Sequence, residues 1–276
     1  IVCSLFFNKK LFRSTSIYFH GSEAEEIINS SRFSMILIKR IYLNAIKKSR
    51  QLIFVSNFLQ NKILKKIIGG EHYINKSKVV YTLVDTKIFL PNRKSNIFKS
   101  ISGKKIILTV SRVVEKKGLL EVAEILCSLN NKFENQYHWV LIGNGDYSSI
   151  LSNYLIQMKN EKHFTQIEFV ERDELSEFYS NANLFILLSN YEESFGLVYL
   201  ESCLCGTPVI GKDKGGVNEV ILDGINGFLV KNKDEALDAI LNIENIDSAE
   251  AINYVKKMYN NFNVESYTHS LLNFSN

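Results

Sequence analysis

No stretch of the 276 residues approaches the ~18 uninterrupted apolar residues that a membrane-spanning helix needs, so no membrane span is expected. The opening segment IVCSLFFNKKLF carries Lys9 and Lys10 after its apolar run. That is the reverse of a secretory signal, and the chain is expected to be cytoplasmic. Cysteine is scarce: of Cys3, Cys127, Cys203 and Cys205 only the last two are close. Their spacing falls within one expected helix and turns the thiols about 200° apart, which supports neither a zinc site nor a disulfide framework. No D-x-D pair occurs, so a carboxylate clamp for a divalent metal has no obvious ligands, and no metal site is expected. A G-x-G-x-x-G after the first strand of a unit, with an acidic residue ~20 positions on, is also missing, which argues against a nicotinamide dehydrogenase. No internal repeat or low-complexity tract interrupts the chain.

What the chain does contain is a globular balance of 46% hydrophobic and 22% charged residues, enough to bury real cores in one large or two ordinary domains. The net charge of +4 conceals a split: residues 1–104 carry 19 Lys and Arg against 5 Asp and Glu, and residues 105–276 carry 14 against 24. The first part is thus at +14 and the second at −10, a division that suggests two bodies with different partners. The basic part faces either an anionic surface such as the inner face of a cell membrane, or only solvent. In favour of docking, Lys39, Arg40, Lys47, Lys48, Lys65 and Lys66 alternate with apolar residues between 33 and 66. Nucleic acid is not expected, because this part shows no reading motif and its aromatics fall within apolar strands and helices.

Short β-branched or aromatic runs alternate with longer helical stretches throughout, the pattern of parallel α/β sheets. Strands are expected at 16–20, 52–56 and 78–81, with helices at 33–48 and 57–68. Pro91 and the polar stretch after it read as a linker over 91–105. Strands at 106–110, 138–142, 167–170, 184–188 and 208–211 follow, with helices at 118–128, 148–158, 174–180, 195–205 and 234–241. The expected organisation is a partial first Rossmann-like domain over 1–90, the linker, a second over 106–258, and a C-terminal helix over 259–276 crossing back to the first. Starting at Ile1 within an apolar segment, the sequence reads as a fragment of a longer protein. A doubly wound sheet binds its ligand beyond the carboxyl ends of its strands.

The most informative segment runs from Asn190 to Gly211. There an acidic loop meets a helix start, with Ser194 as expected cap. Backbone N–H groups at Phe195, Gly196 and Leu197 would form an anion site aided by the helix dipole. Glu193 precedes the helix and Glu201 lies about two turns inside it, so the two carboxylates serve one ligand at separate points. Arg112, after a strand, and Lys117, before the next helix, offer a bidentate fork and a mobile point charge suited to a diphosphate. Gly143 and Asn144 follow another strand in a glycine turn, Arg172 ends a further one, and His20 with Gly21 closes a strand of the first half.

These residues together resemble the family 4 glycosyltransferases, retaining enzymes of the GT-B fold. Glu193 to Gly196 and Glu201 match the family's E-x7-E signature. Ser111, Arg112, Lys117 and Gly118 match its G-R-L-x-x-x-K-G element, with Ser111 in place of Gly and Val113 in place of Leu. Gly215, Gly216 and Glu219, then Asp223, Gly224 and Gly227, match its glycine-rich tail. The resemblance implies two Rossmann-like domains facing a cleft, the first incomplete here. It implies that Glu193 contacts the transferred sugar and Glu201 the donor ribose, that Arg112 and Lys117 bind phosphate, and that His20 stands opposite the sugar. Arg172 would contact the base and Gly143 and Asn144 the nucleotide. It implies a nucleoside diphosphate sugar as co-substrate with no cofactor, and a glycan or lipid-linked acceptor in cell-surface polysaccharide or lipopolysaccharide assembly. The alternative is a truncated, catalytically silent protein that binds nucleotide or a partner.

Overall fold

The structure, a computed structural model, describes residues 15–21, 23–31, 33–67, 69–82, 84–91 and 95–260. They divide into two compact units: 15–82 with Glu193–Phe195, and 84–192 with 196–260.

The first unit is built on three parallel strands, β1 (Ser16–Phe19), β2 (Gln51–Phe54) and β3 (Ser77–Val79), in the order β1-β2-β3. Helices α1 (Glu23–Asn29), α2 (Phe33–Lys48) and α3 (Asn57–Lys66) pack with them. Phe19 and Phe54, one position from β1 and one from β2, stack at 4.5 Å in the core. The sequence reading placed Ser56 at the end of a strand. Instead its backbone is extended and its Oγ accepts from the Leu59 N–H at 3.0 Å, capping α3. Helix α1 was not foreseen, being only seven residues long, although Ala24 and Ile28 are buried four positions apart as one helical face requires. The C-terminal carbonyls of α2 are closed by Lys76, whose ammonium donates to Ile46 O at 2.6 Å, Ser49 O at 2.9 Å and Lys47 O at 3.1 Å. Burial pushes the pKa of this amine below its ordinary value.

The second unit holds six parallel strands: β4 (Lys105–Val110), β5 (Tyr137–Ile142), β6 (Phe164–Ile167), β7 (Leu184–Leu187), β8 (Val209–Lys212) and β9 (Gly227–Val230). Their order is β6-β5-β4-β7-β8-β9, the doubly wound arrangement. Strands β5 and β7 are buried along their whole length, as continuous apolar runs in a covered parallel sheet should be. A polar chain crosses this core: Trp139 Nε1 donates to Thr109 Oγ1 at 3.1 Å, and that hydroxyl donates to the Ile186 carbonyl at 2.7 Å. The helices are α4 (Leu119–Lys132), α5 (Ser148–Gln157), α6 (Leu175–Asn181), α7 (Leu197–Leu204), α8 (Lys233–Asn242) and α9 (Ser248–Asn260).

Four expectations need correction. The strand placed at 167–170 lies at Phe164–Ile167, where Phe164 meets the Trp139 ring at 4.9 Å and Thr165 hydrogen-bonds His138 at 2.9 Å. Periodicity favoured the apolar residues of 167–170, but an edge strand tolerates Thr165 and Gln166, and Phe169 is exposed. Strand β9 was missed inside a turn-rich segment, where it extends the sheet beside β8. The stretch taken as a linker over 91–105 belongs to the second unit: the Ser95 N–H donates to Asn181 Oδ1 at 3.3 Å and Phe98 meets Phe178 edge-on. The boundary of the units accordingly falls near residue 83, not after 90. A C-terminal helix is found at Ser248–Asn260, and the one expected over 259–276 falls almost wholly outside the described residues.

Asn226, fully buried, holds the turn into β9: its Oδ1 accepts from the Leu222 N–H at 2.8 Å and its Nδ2 donates to the Val220 carbonyl at 3.0 Å. Asn226→Ala leaves both backbone groups without these partners and is expected to cost about 2–4 kcal/mol. Denaturant unfolding measures this, and a loss below about 1 kcal/mol would contradict the role given to the side chain.

Candidate functional site

In the second unit the winding reverses between β4 and β7, so the loops leaving these two neighbouring strands border a crevice at their carboxyl ends. Arg112 lies just beyond β4, held between two backbone bonds. The Ser111 N–H donates to Ile142 O at 3.0 Å and the Val113 N–H to Asn144 O at 2.9 Å, and Val113 is fully buried. The β5 exit packs directly on this loop: a Cβ on Gly143, at φ 140°, would stand 1.9 Å from the Ser111 carbonyl oxygen. Glycine at 143 thus sets how close the two loops come, while the Ser111 hydroxyl stays local and donates to the Arg112 carbonyl at 3.1 Å. Asn144 turns its Oδ1 back to the Gly145 N–H at 2.7 Å.

Lys117 ends the short turn Glu115–Lys117, and Gly118 opens α4. The preceding residue, Lys116, ties this turn to the β7 exit, its carbonyl accepting from the N–H groups of Asn190 at 2.8 Å and Tyr191 at 3.3 Å. Its ammonium sits 4.8 Å from the centre of the Tyr191 ring. A cavity of about 610 Å³ opens here, with Arg112, Lys116, Asp146 and Tyr191 in its wall. Lysines at and just past the end of β8, which sequence reasoning missed, brace the same loop: Lys212 donates to Asn190 Oδ1 and Glu121 Oε2, both at 2.8 Å, and Lys214 to the Asn190 carbonyl at 3.0 Å. Their signal was the pair of cations two positions apart at a strand exit.

Helix α7 begins at Leu197, two residues later than expected. Gly196 has φ 106° and no side-chain cap serves this end, so Ser194 is not the cap. A left-handed residue there takes the chain off the helical path, and a Cβ would stand 2.7 Å from the Tyr199 ring. Glu193–Phe195 therefore lie off the helix and group with the first unit, where the Ser194 carbonyl accepts a hydrogen bond from Ser56 Oγ and Phe195 stacks on Tyr81 at 5.1 Å. His20 also belongs to that unit, exposed at the end of β1 with its ring 4.2 Å from that of Tyr18.

Glu201 is 7% exposed in the second turn of α7, and both of its carboxylate oxygens are engaged. The Tyr179 hydroxyl donates to Oε2 at 3.1 Å and the Arg172 guanidinium approaches Oε1 at 3.5 Å. Arg172, expected at a base, thus meets a carboxylate, with its guanidinium 5.8 Å from the centre of the Phe89 ring. Tyr179, another residue the sequence reading did not single out, is fully buried between the rings of Phe89 and Phe185. Burial raises the pKa of Glu201, while the Tyr179 hydrogen bond and the charge of Arg172 pull it back. Burial and the Glu201 charge hold the Tyr179 phenol well above its ordinary value, so it stays a donor. Among the described residues no three His, Cys, Asp or Glu side chains converge as a metal site would need.

Two outcomes follow from this geometry. Tyr179→Phe removes the donor to a buried carboxylate and is expected to cost about 1.5–3 kcal/mol of stability, seen as a lowered melting temperature, whereas an unchanged value would contradict the contact. Because the folded-state pKa of Glu201 is raised, its contribution is complete below the ordinary glutamate value of about 4.3 and declines as pH rises through the raised one. The melting temperature of the parent chain should therefore fall relative to that of Glu201→Gln as pH rises from about 4 to 7. A parent chain that gains on the variant over this range would show that the carboxylate is not desolvated.

The family profile described as Glycosyl transferases group 1 matches residues 92–261. Among curated relatives, spore coat protein SA of Bacillus subtilis is 27% identical over 197 residues, covering 65% of this chain and 51% of that protein. An uncharacterised glycosyltransferase of Methanocaldococcus jannaschii is 25% identical over 228 residues, covering 82% and 57%. The chain thus spans about half the length of the curated relatives it matches. Among solved structures, Anabaena HepE in complex with UDP aligns with a TM-score of 0.75 at 20% identity, over 93% of this chain and 70% of that one. Sucrose-phosphate synthase from Thermosynechococcus elongatus aligns at 0.73 and 19%, over 93% and 65%. The parallel sheets are those of the GT-B glycosyltransferases, and the chain belongs to the glycosyl transferases group 1 family.

Proposed function

We propose that this chain takes part in a retaining, metal-independent transfer of a hexose from a nucleoside diphosphate sugar to a hydroxyl of a glycan or glycolipid in cell-surface polysaccharide assembly. What supports this reading is the switch point of the second unit: Arg112 follows β4, and α7, whose second turn buries Glu201, follows the neighbouring β7. Structures of the similar HepE are described as complexes with UDP-glucose and with UDP and glucose, which makes uridine the first base to test.

In this reading the donor ribose displaces Arg172 from Glu201 and hydrogen-bonds the carboxylate that Tyr179 holds in place. Arg112 and Lys117 neutralise the leaving diphosphate, assisted by the N–H groups at the start of α7, including Gly196 and Leu197. Gly143 and Asn144 flank the nucleotide. Glu193 orients the transferred sugar and stabilises the charge that develops on it, with His20 opposite. The acceptor hydroxyl attacks from the face that the diphosphate leaves, and the departing phosphate takes its proton. Arg112 supplies charge stabilisation aimed at the transition state, as a preorganised site requires.

A thermal-shift panel of nucleoside diphosphate sugars identifies the donor, and transfer assays then separate the roles. Glu201→Ala is expected to raise the donor KM with a smaller effect on kcat, and Glu193→Ala mainly to lower kcat. Arg112→Ala and Lys117→Ala should each cost about 2–4 kcal/mol in kcat/KM, with activity undiminished in chelator. Equal effects of the two glutamate changes on both parameters would overturn the assignment of roles. Donor binding without transfer to any acceptor would favour the catalytically silent alternative.

A further inference from the structure

A polar cluster at the amino ends of β5 and β6 stands apart from the candidate site. His138, His163, Asn130 and Asn160 are all buried there. Asn130 accepts from the Tyr137 N–H at 3.0 Å, and its Nδ2 donates to Asn160 Oδ1 at 3.2 Å. The histidines are less well served. His138, on β5, hydrogen-bonds Thr165 on β6 at 2.9 Å through Nε2. His163, which ends the turn Glu161–His163, has a buried Nε2 with no hydrogen-bond partner among the described residues. The charges that act on the two rings are Lys104, ahead of β4 and donating to the Asn135 carbonyl at 2.6 Å, and Lys162 and Glu161, both exposed in the turn itself. The groups that β6, α4 and the turn after α5 bring to the cluster, Thr165, Asn130 and Asn160, carry no charge, and β4 sets Ile106 beside His138.

Two buried rings facing mostly cations are stable only while uncharged. Burial, followed by His163 and Lys104, lowers the pKa of His138 to about 4. Burial, followed by Lys104 and Lys162, lowers that of His163 against the opposing pull of Glu161. The stability contributed by the neutral pair is therefore complete above the ordinary histidine value of about 6.5 and is lost as pH falls below it. The element best placed to respond is β6. Among the described residues it is an edge strand of four residues paired only with β5, and none of the four is fully buried, whereas β5 is buried along its length. Its other holds are the Phe164 contact with Trp139 and the Gln166 bonds to Gly143 O and Ser148 Oγ, both at 2.9 Å. The chain reaches it through Lys159, a non-glycine residue at φ 54°, a left-handed conformation with a steric cost. Residues 168–171 then connect β6 to Arg172, the exposed partner of Glu201.

We propose that His138 and His163 form an acid-sensitive latch: uncharged, they hold the amino end of β6 against β5, and protonated, they release β6 and the segment through Arg172 while the rest of the sheet stays folded. This does not depend on the transfer reaction. It is tested on the full chain by amide hydrogen exchange at about pH 7.5 and about pH 4.5, corrected for the intrinsic effect of pH on exchange. Each pH unit below the ordinary histidine value favours the released state about tenfold per ring until the folded-state value is reached. Protection over 161–170 should therefore fall at least about tenfold, and that of 184–188 and 209–212 less than about twofold. His138→Gln with His163→Gln cannot take up the protons and should hold the acid loss over 161–170 below about twofold. His72→Gln, at a histidine whose side chain is 83% exposed in the first unit, should leave that loss unchanged. If the double variant does not fold, NMR titration of the histidine rings of the parent chain decides, and two of them should titrate well below about 6.5. Equal loss across the sheet, no loss over 161–170, an acid loss that persists in the double variant, or every histidine ring titrating near about 6.5 would overturn the proposal.

Discussion

The parallel sheet of the second unit winds outward from β4 through β5 and β6 in one direction and through β7, β8 and β9 in the other, so the chain leaves β4 and β7 toward opposite faces. No connection can bridge that point, and the ends of two fully paired strands are left open there. The loops cannot close it because other contacts hold them in place. Gly143 lets the β5 exit rest on the Ser111 carbonyl, and the Lys116 carbonyl binds the β7 exit. Lys212 braces the β7 exit through Asn190, and Arg112 stands in the wall of the cavity of about 610 Å³ that opens beside it.

Glu201 illustrates the cost of preparing such a site. A carboxylate at 7% exposure is unfavourable unless its oxygens are paired, and here Tyr179 and Arg172 supply the pairing. The two partners differ in character. Tyr179 is locked among aromatic rings, whereas the Arg172 side chain is 59% exposed and can leave with little loss of packing. One oxygen is therefore held and the other is open to exchange, which is what the proposed contact with a donor hydroxyl requires.

Much of this was legible in the sequence because parallel sheets leave a strong trace. The buried runs at β5 and β7 announced strands, and Gly143 announced the tight turn that follows β5. What was illegible depended on partners distant in the chain. Tyr179 reads as an ordinary apolar position of a short helix until Glu201, 22 residues later, is packed against it. Ser194 looks like a helix cap because its spacing is right, yet Gly196 breaks the helical path and Ser194 joins the first unit. Thr165 and Gln166 hid an edge strand because polarity there is harmless, and Ser95 turned an apparent linker into a packed segment through Asn181.

The central claim is that a nucleoside diphosphate binds at the carboxyl ends of β4, β5 and β7. Amide hydrogen exchange measured with and without UDP and, if UDP does not bind, the other nucleoside diphosphates tests it most directly. The account predicts added protection concentrated at 111–118, 143–145 and 188–201, with the remaining strands of the sheet unchanged. Protection elsewhere in the chain, or none with any of these nucleotides at saturating concentration, would contradict it.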